Sequence, residues 1–325
     1  MKKIITLLSL LLLQKAFSHS HRGAISHAPI GVMGDHNHKK GEFMMSLRHM
    51  MMKKEDMMRG SDDISPNDFS ERMKPQEMKM TMTMLGAMYG LTNKVTLTAM
   101  LNYITKEMTL ENSMTSMSME NSVRNIADSM IGAIYDFSFN DHSVLNARFA
   151  LSLPTGETDR TNVSGMRLPY GMQLGSGTFD PLFGLTYKRI MKSFEIGSQF
   201  NYKFRISEND EGYALGDMYN LTVWGAYAYN NMISQSLRLN YSWMDSISGT
   251  DKNLTINPSM NPLANTENYG GKRIDLNIGF NFMFDGEKNS DNRVALEYLI
   301  PLYQNVNGIS LGLDHALVVG WQKQF

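Results

Sequence analysis

The stretch FEIGSQFNYKFRI, from Phe194 to Ile206, decides the fold class. Every second residue from Phe194 to Ile206 is apolar or aromatic apart from Ser198, and the positions between them carry Glu, Gly, Gln, Asn, Lys and Arg. A period of two is that of a β-strand. The seven positions on the apolar face exceed the usual length of a soluble strand and match the tilted span of a lipid bilayer. The stretch therefore predicts a membrane-spanning strand.

The same alternation recurs along the rest of the chain. We find twelve such segments, at residues 42–52, 78–90, 95–105, 127–138, 143–153, 178–189, 194–206, 217–229, 232–245, 273–284, 293–301 and 313–325. Consecutive alternating strands with polar turns between them are typical of an up-and-down barrel. The prediction is an all-β fold, a transmembrane antiparallel β-barrel of about 12 strands over residues 42–325.

The connections between the segments alternate in length. The short ones are 91–94, 139–142, 190–193, 230–231 and 285–292, and the long ones are 53–77, 106–126, 154–177, 207–216, 246–272 and 302–312. Outer-membrane barrels have tight periplasmic turns and long outer loops, and an even strand number puts both termini in the periplasm. The pattern predicts a protein of the bacterial outer membrane, in contact with its lipid. The alternative is a secreted β-sandwich, which also alternates but does not need thirteen-residue strands.

The N-terminus precedes the barrel and divides into two parts. Lys2 and Lys3 are followed by the apolar run Ile4–Leu13, and Ala16 and Ser18 then provide small residues at positions −3 and −1 for cleavage after Ser18. This order is typical of a secretory signal peptide, here residues 1–18; the alternative is a short core helix. Residues 19–41 are predicted to form a His-rich periplasmic or plug segment.

Composition excludes several classes of protein. The chain of 325 residues has 31 Lys+Arg against 32 Asp+Glu, no Cys and 29 Met, with a mean hydropathy of −0.30. A charge near zero argues against a nucleic-acid partner. The lack of Cys excludes disulfides, Fe–S clusters and thiolate zinc sites. The mild hydropathy is compatible with a barrel because its strands average polar and apolar faces.

The segment after the signal peptide contains candidate metal ligands. Five of the eight His lie in it, at positions 19, 21, 27, 36 and 38. Imidazole and thioether ligands suit copper. The candidate metal set is His27, Met33, Asp35, His36, His38, Met44 and Met50. The alternative is a polar strap whose His residues are incidental.

Methionines further along the chain have two interpretations. Met78, Met80, Met82 and Met84 alternate with Lys and Thr, which predicts that they face lipid. Met114, Met117 and Met119 are expected on the second long loop. The other interpretation is a thioether site, since such ligands select Cu(I).

Charged residues on the polar face of the strands are expected in the lumen. They are Arg48, Arg148, Glu195, Lys203, Arg205, Arg238, Asp275, Arg293 and Glu297. Such charges either tune the selectivity of a pore or form salt bridges that fill and stiffen the barrel. No arrangement of Ser and His suits a hydrolase, so the chain is not expected to be an enzyme.

The C-terminal strand has a distinct end. Leu317, Val319, Trp321 and Phe325 share one face, and Phe325 is the last residue. A terminal Phe after alternating apolar residues resembles the recognition signal of bacterial outer-membrane barrels. The resemblance implies that the barrel-assembly machinery is a partner and that this face is the membrane-insertion signal. In physical terms Phe325 would anchor the closing strand at the interface.

Several longer stretches carry a family resemblance. They are HAPIGVMGDHNHKKGEFMMSLRHMMM (27–52), LPTGETD (153–159), LPYGMQLGSGTFDPLFGLTY (168–187), SENDEGYALGD (207–217) and GGKRIDLNIGFN (270–281). Together they resemble the bacterial outer-membrane "phenol meta-pathway degradation" family of transporter barrels. The resemblance implies a channel or transporter for a small solute, either an aromatic compound or a metal, without catalytic residues and without a required cofactor. The alternative function is an outer-membrane protein that binds copper or another heavy metal through its His/Met-rich N-terminal region.

Overall fold

The computed structural model describes residues 23–65, 68, 71–138, 142–285 and 291–325. The predicted signal peptide lies outside them. The described chain is all β, and its long strands are β1 (Phe43–Arg59), β2 (Met73–Gly90), β3 (Val95–Asn112), β4 (Met117–Ile126 and Ser129–Asp136), β5 (Ser143–Leu153), β6 (Asp180–Met191), β7 (Phe194–Lys203), β8 (Met218–Ala228), β9 (Ile233–Met244), β10 (Gly271–Asp285), β11 (Asp291–Val306) and β12 (Ile309–Gln324).

The twelve strands form one closed antiparallel barrel. Each strand pairs with its neighbours in sequence, and β12 pairs with β1 from Met44 opposite Gln324 to Arg59 opposite Ile309. Closure leaves no sheet edge, which the interior of a bilayer requires because lipid cannot satisfy free backbone groups. The prediction of a twelve-stranded barrel is confirmed. None of the helices in the described ranges is long and apolar enough to cross a membrane.

The two faces of the wall differ as the period of two predicts. Leu237, Leu239 and Trp243 on β9 are exposed on the outer face, whereas Ser236 and Arg238 between them are buried in the lumen. The exposed apolar side chains therefore face the lipid. The two ends of the barrel also differ. β1 begins and β12 ends at the end that carries the short turns.

Two connections predicted to be long loops are tight turns instead. The strands β3 and β4 continue to a turn at 113–116, and β11 and β12 continue to a turn at 307–308. Above the lipid the outward side chains become polar, as at Ser118 and Glu120, so the apolar alternation ends while the backbone ladder continues. Met117 and Met119 consequently lie on β4 rather than in a loop.

The Met residues of β2 face the opposite way from the prediction. Met78, Met80 and Met82 pack inside the barrel, while Leu85 and Tyr89 on the same strand are exposed to lipid. The prediction was wrong because both faces of β2 are largely uncharged. Lys79, which suggested a polar inner face, lies outside and bonds to Glu77 near the extracellular end of the strand.

Candidate functional site

The lumen contains the N-terminal segment, which we define as residues 23–42. Its first described residues are fixed at the β8–β9 turn, where the Ala24 amide donates to Asn231 O at 2.9 Å. Its last residues join the β2 end, where the Gly41 amide donates to Gly90 O at 2.8 Å. Between these points Ala24, Ala28, Ile30 and Val32 are buried, so the segment runs through the interior of the barrel at its periplasmic end.

Asp35 is the main anchor of the N-terminal segment. One carboxylate oxygen accepts from the Ala28 amide at 3.0 Å and from Lys188 Nζ at 3.1 Å, and the other lies 2.8 Å from His36 Nδ1. Lys188 comes from β6, and its side chain is only 2 % exposed. Burial alone would raise the pKa of the Asp35 carboxyl, but His36 and Lys188 hold it well below its ordinary range. Asp35 is therefore a charged anchor in a buried site.

Other bonds attach the segment to the opposite wall. Gly31 N donates to Glu297 Oε2 at 3.2 Å, and Glu297 also pairs with Arg238. Arg293 donates to Ala28 O and to two side chains of the wall. Further bonds reach β3 and β7, from the His38 amide to Thr96 and from Gln199 to Met33 O. The segment is thus bound to several sides of the lumen.

Three histidines of the segment lie together. The ring centroids of His27 and His36 are 5.4 Å apart, and those of His36 and His38 are 5.0 Å apart. Burial, followed by Arg293 and His36, holds the pKa of His27 well below its ordinary value. Burial and His36 likewise lower the pKa of His38 to about 3. Both rings are therefore neutral while the segment is docked.

The predicted metal set is only partly brought together. Met33 and Met44 meet at one cavity, while Met50 lies beside Met82 further along β1. Within the described ranges, no group of three or more His, Asp or Glu side chains has an arrangement that could hold a metal ion. The structure thus gives no support to copper at these residues.

Eight of the nine predicted lumen charges lie on barrel strands with their side chains inward, whereas Arg205 follows β7 and lies in a loop at the extracellular end. Most are paired: Arg238 with Glu297, Asp275 with Arg273, Arg205 with Asp180, and Glu195 with Lys188 and the Trp224 ring nitrogen. Lys188 was missed by the sequence reasoning, although Thr186 and Lys188 share the polar face of β6 and parity alone would have found it. Within the described ranges Arg48, Arg148, Arg293 and Lys203 have no carboxylate within ion-pair distance. Arg293 bonds instead to amide oxygens of the wall, whereas Arg48 makes no hydrogen bond and Arg148 reaches only the Met130 thioether.

The extracellular end is filled by loops that fold into the barrel mouth. Lys106 on β3 donates to Gly171 O at 2.9 Å, which holds the loop 154–179 inside the wall. An apolar cluster forms below it, from Ile104, Met108, Leu110, Val123, Ala127, Leu168, Met172, Leu174 and Leu311, with Met78, Met80 and Met82 packed against it. These loop residues belong to stretches that carry the family resemblance, but nothing in their pattern indicated that they fill the barrel mouth.

A network of charged and aromatic side chains joins three of these loops. Arg167 pairs with Asp251 at 2.8 Å and also with Glu211. The bond from Arg167 lowers the pKa of the Glu211 carboxyl. Tyr213 and Tyr170 pack edge to face in the same place. The loops therefore form a connected cover, which we call the extracellular cover (residues 154–179, 204–217 and 245–270).

A cavity that is partly open to solvent lies beside the N-terminal segment. Its lining is dominated by thioethers, with two guanidinium groups and small residues between them. The lining residues are Met33, Gly34, Met44, Ser46, Arg48, Met84, Gly86, Ala87, Met88, Thr98, Ala99, Met100, Met130 and Arg148. We call it the methionine cavity.

Comparison with known proteins agrees with this architecture. The family described as "Putative MetA-pathway of phenol degradation" matches residues 82–298, more than half of the chain. The chain belongs to this family. The family resemblance and the outer-membrane location expected from the sequence are both confirmed. No curated protein sequence matches the chain.

Solved structures of other outer-membrane proteins are similar to this family member. An outer membrane channel of Pseudomonas putida F1 has a TM-score of 0.67 at 13% identity, over 90% of this chain and 99% of that chain. A Pseudomonas aeruginosa FadL homologue (TM-score 0.44, 9% identity, 88% and 90% coverage) and the P. putida toluene transporter TodX (0.41, 10%, 89% and 91%) are more distant. At these identities the first likeness establishes the barrel fold, and the other two carry no argument.

Proposed function

We propose that this protein is an outer-membrane channel for small organic solutes, aromatic compounds included, and that the N-terminal segment is its gate. The observation that carries the proposal is the methionine cavity. It is a space inside a membrane barrel, lined by apolar but polarisable side chains and a few polar groups. Thioethers make favourable contacts with aromatic rings and adapt to guests of different shape.

The gate function rests on how the N-terminal segment is held. Between its two ends, which have backbone bonds to the β8–β9 turn and to the end of β2, its bonds to the wall are polar side-chain contacts, such as Lys188 to Asp35 and Gln199 to Met33 O. In the described ranges the segment does not pair with the barrel sheet as a strand. It can therefore leave the lumen without breaking the wall. Met33 and Gly34 form one side of the methionine cavity, so movement of the segment would open that cavity toward the periplasm.

Planar-bilayer recordings of the intact protein and of a variant lacking residues 23–40 test the proposal. We expect small, intermittent conductance from the intact protein and larger, sustained conductance from the variant. Proteoliposome uptake of a panel of small sugars, aromatic acids and metal ions then identifies the class of solute. A folded variant without conductance or solute uptake would contradict the channel function.

A further inference from the structure

Two arginines in the methionine cavity have no carboxylate within ion-pair distance among the described residues. Arg48 is 7 % exposed, makes no hydrogen bond or ion pair there, and its Nε is buried without a partner; Asp35 and Glu297 act on it only at longer range. Arg148 is 8 % exposed, and its NH2 group donates to the thioether of Met130 at 3.0 Å. A thioether is a weak acceptor. Two buried guanidinium groups, one from β1 and one from β5, thus line the cavity without a directly paired carboxylate among the described residues.

The nearby carboxylates are engaged elsewhere. Asp35 is bound to Lys188 and the Ala28 amide, and Glu297 is bound to Arg238 and the Gly31 amide. Every other buried arginine of the lumen wall has a carboxylate or amide-oxygen partner, as the Arg293 bonds to Asn281 and Gln322 illustrate. The free donors of Arg48 and Arg148 are therefore available to a guest in the cavity.

We infer that the methionine cavity binds organic monocarboxylates, with the carboxylate on Arg48 and Arg148 and the apolar body among the thioethers. Guanidinium groups bind carboxylates through paired, charge-assisted hydrogen bonds. The apolar part of the guest would contact Met44, Met84 and Met100. This inference rests on the proposed channel function, since it names the class of solute.

The same charges argue against a soft metal ion in this place. Thioethers alone would suit Cu(I) or Ag⁺. The two buried guanidinium groups that line the cavity repel a cation, and in a region of low dielectric constant this repulsion is strong. The cavity thus combines thioethers that can contact an apolar body with guanidinium groups that can bind an anion.

Methyl NMR of protein labelled at the methionine methyl groups, in lipid nanodiscs, tests the inference at equilibrium. The probes are benzoate, its neutral analogue benzamide, and Ag⁺. We expect benzoate to shift the methyl signals of Met44, Met84 and Met100 but not that of the exposed loop residue Met114. We expect Arg48→Gln and Arg148→Gln each to raise the benzoate Kd about tenfold or more, with benzamide binding unchanged.

Controls separate a binding role from a folding role. Arg189→Gln, on the outer face of β6, should leave benzoate binding unchanged. Arg48→Lys should restore part of it. Each variant must retain the heat-resistant electrophoretic mobility of a folded barrel.

Three results would overturn the inference: equal binding of benzoate and benzamide, unchanged benzoate binding in both glutamine variants, or methyl shifts with Ag⁺ but not with benzoate. Binding is measured without transport. Failure of conductance with intact benzoate binding would therefore refute the channel and leave the site, whereas the reverse would refute the site alone.

Discussion

Replacing Asp35 by alanine should release the N-terminal segment from the lumen. The substitution removes the carboxylate that binds three groups, Lys188 Nζ at 3.1 Å, the Ala28 amide at 3.0 Å and the His36 ring at 2.8 Å. Lys188 then retains Ser26 O, which belongs to the segment itself, and Glu195 at 3.8 Å. Breaking one partner of a buried ion pair costs about 3–5 kcal/mol. The docked-to-undocked ratio should therefore fall roughly 100- to 5,000-fold.

Single-channel recording in planar bilayers measures this effect as open probability. Asp35→Ala should approach the conductance of the variant that lacks residues 23–40, and Asp35→Asn should give an intermediate value because its side-chain oxygen still accepts hydrogen bonds. Asp314→Ala is the matched control, since Asp314 pairs with a histidine on the exposed side of the protein. The reasoning is refuted if Asp35→Ala gates like the wild type while the deletion variant conducts freely.

Three further predictions concern the gate, the extracellular cover and the closing strand. The docked pKa of His38 is about 3 against an ordinary 6.5, and its Nε2 has no hydrogen-bond partner within the described ranges. Docking is therefore strongest above pH 6.5, and His38 alone weakens it by about 1.4 kcal/mol per pH unit from pH 6.5 down to about 3, with His27 acting in the same direction; recordings from pH 7 to 4 should show rising open probability, and a flat profile would contradict this. Arg167→Ala leaves Asp251 without its cation and should reduce the stability of the extracellular cover by roughly 3 kcal/mol. Amide hydrogen exchange should accelerate in residues 154–179 and stay slow in the strands, and unchanged exchange in this loop would disprove the role of the pair. Phe325→Ala should reduce the yield of heat-modifiable barrel, because it removes the ring that packs against Phe43, with centroids 6.1 Å apart, where β12 closes on β1. The control Phe284→Ala removes another exposed aromatic residue, and an equal loss of yield in both would contradict a special role for this ring pair.

The barrel could be predicted from the sequence because lipid on one side and a polar lumen on the other impose a period of two. The segment Ser143–Leu153 has the same bounds in sequence and structure. The prediction fails where that constraint ends. Above the lipid the outer face of β4 is polar, so a strand resembled a loop. On β2 neither face is strongly polar, so the thioethers of Met78 to Met84 were placed on the wrong side.

The site could be predicted only residue by residue. The alternation of polar and apolar residues within each strand identified Arg48 and Arg148 as inward-facing. Their shared cavity depends on the distance around the barrel between β1 and β5, which no local pattern encodes. The pairing of Asp35 with Lys188 likewise joins residues 153 positions apart. The histidines were visible as a composition bias, but their burial follows from the path of the segment through the lumen.

A reversible cross-link between the N-terminal segment and the wall tests the account most directly. The Ile30 side chain packs against Gly320 of β12, where an added Cβ would lie 2.8 Å from Ile30 Cδ1. The chain has no Cys, so Ile30→Cys with Gly320→Cys introduces a unique thiol pair. With a short thiol-cleavable cross-linker in place, we predict that channel openings disappear in planar bilayers and return on reduction. Equal conductance in the cross-linked and reduced states would contradict the claim that residues 23–42 gate the lumen.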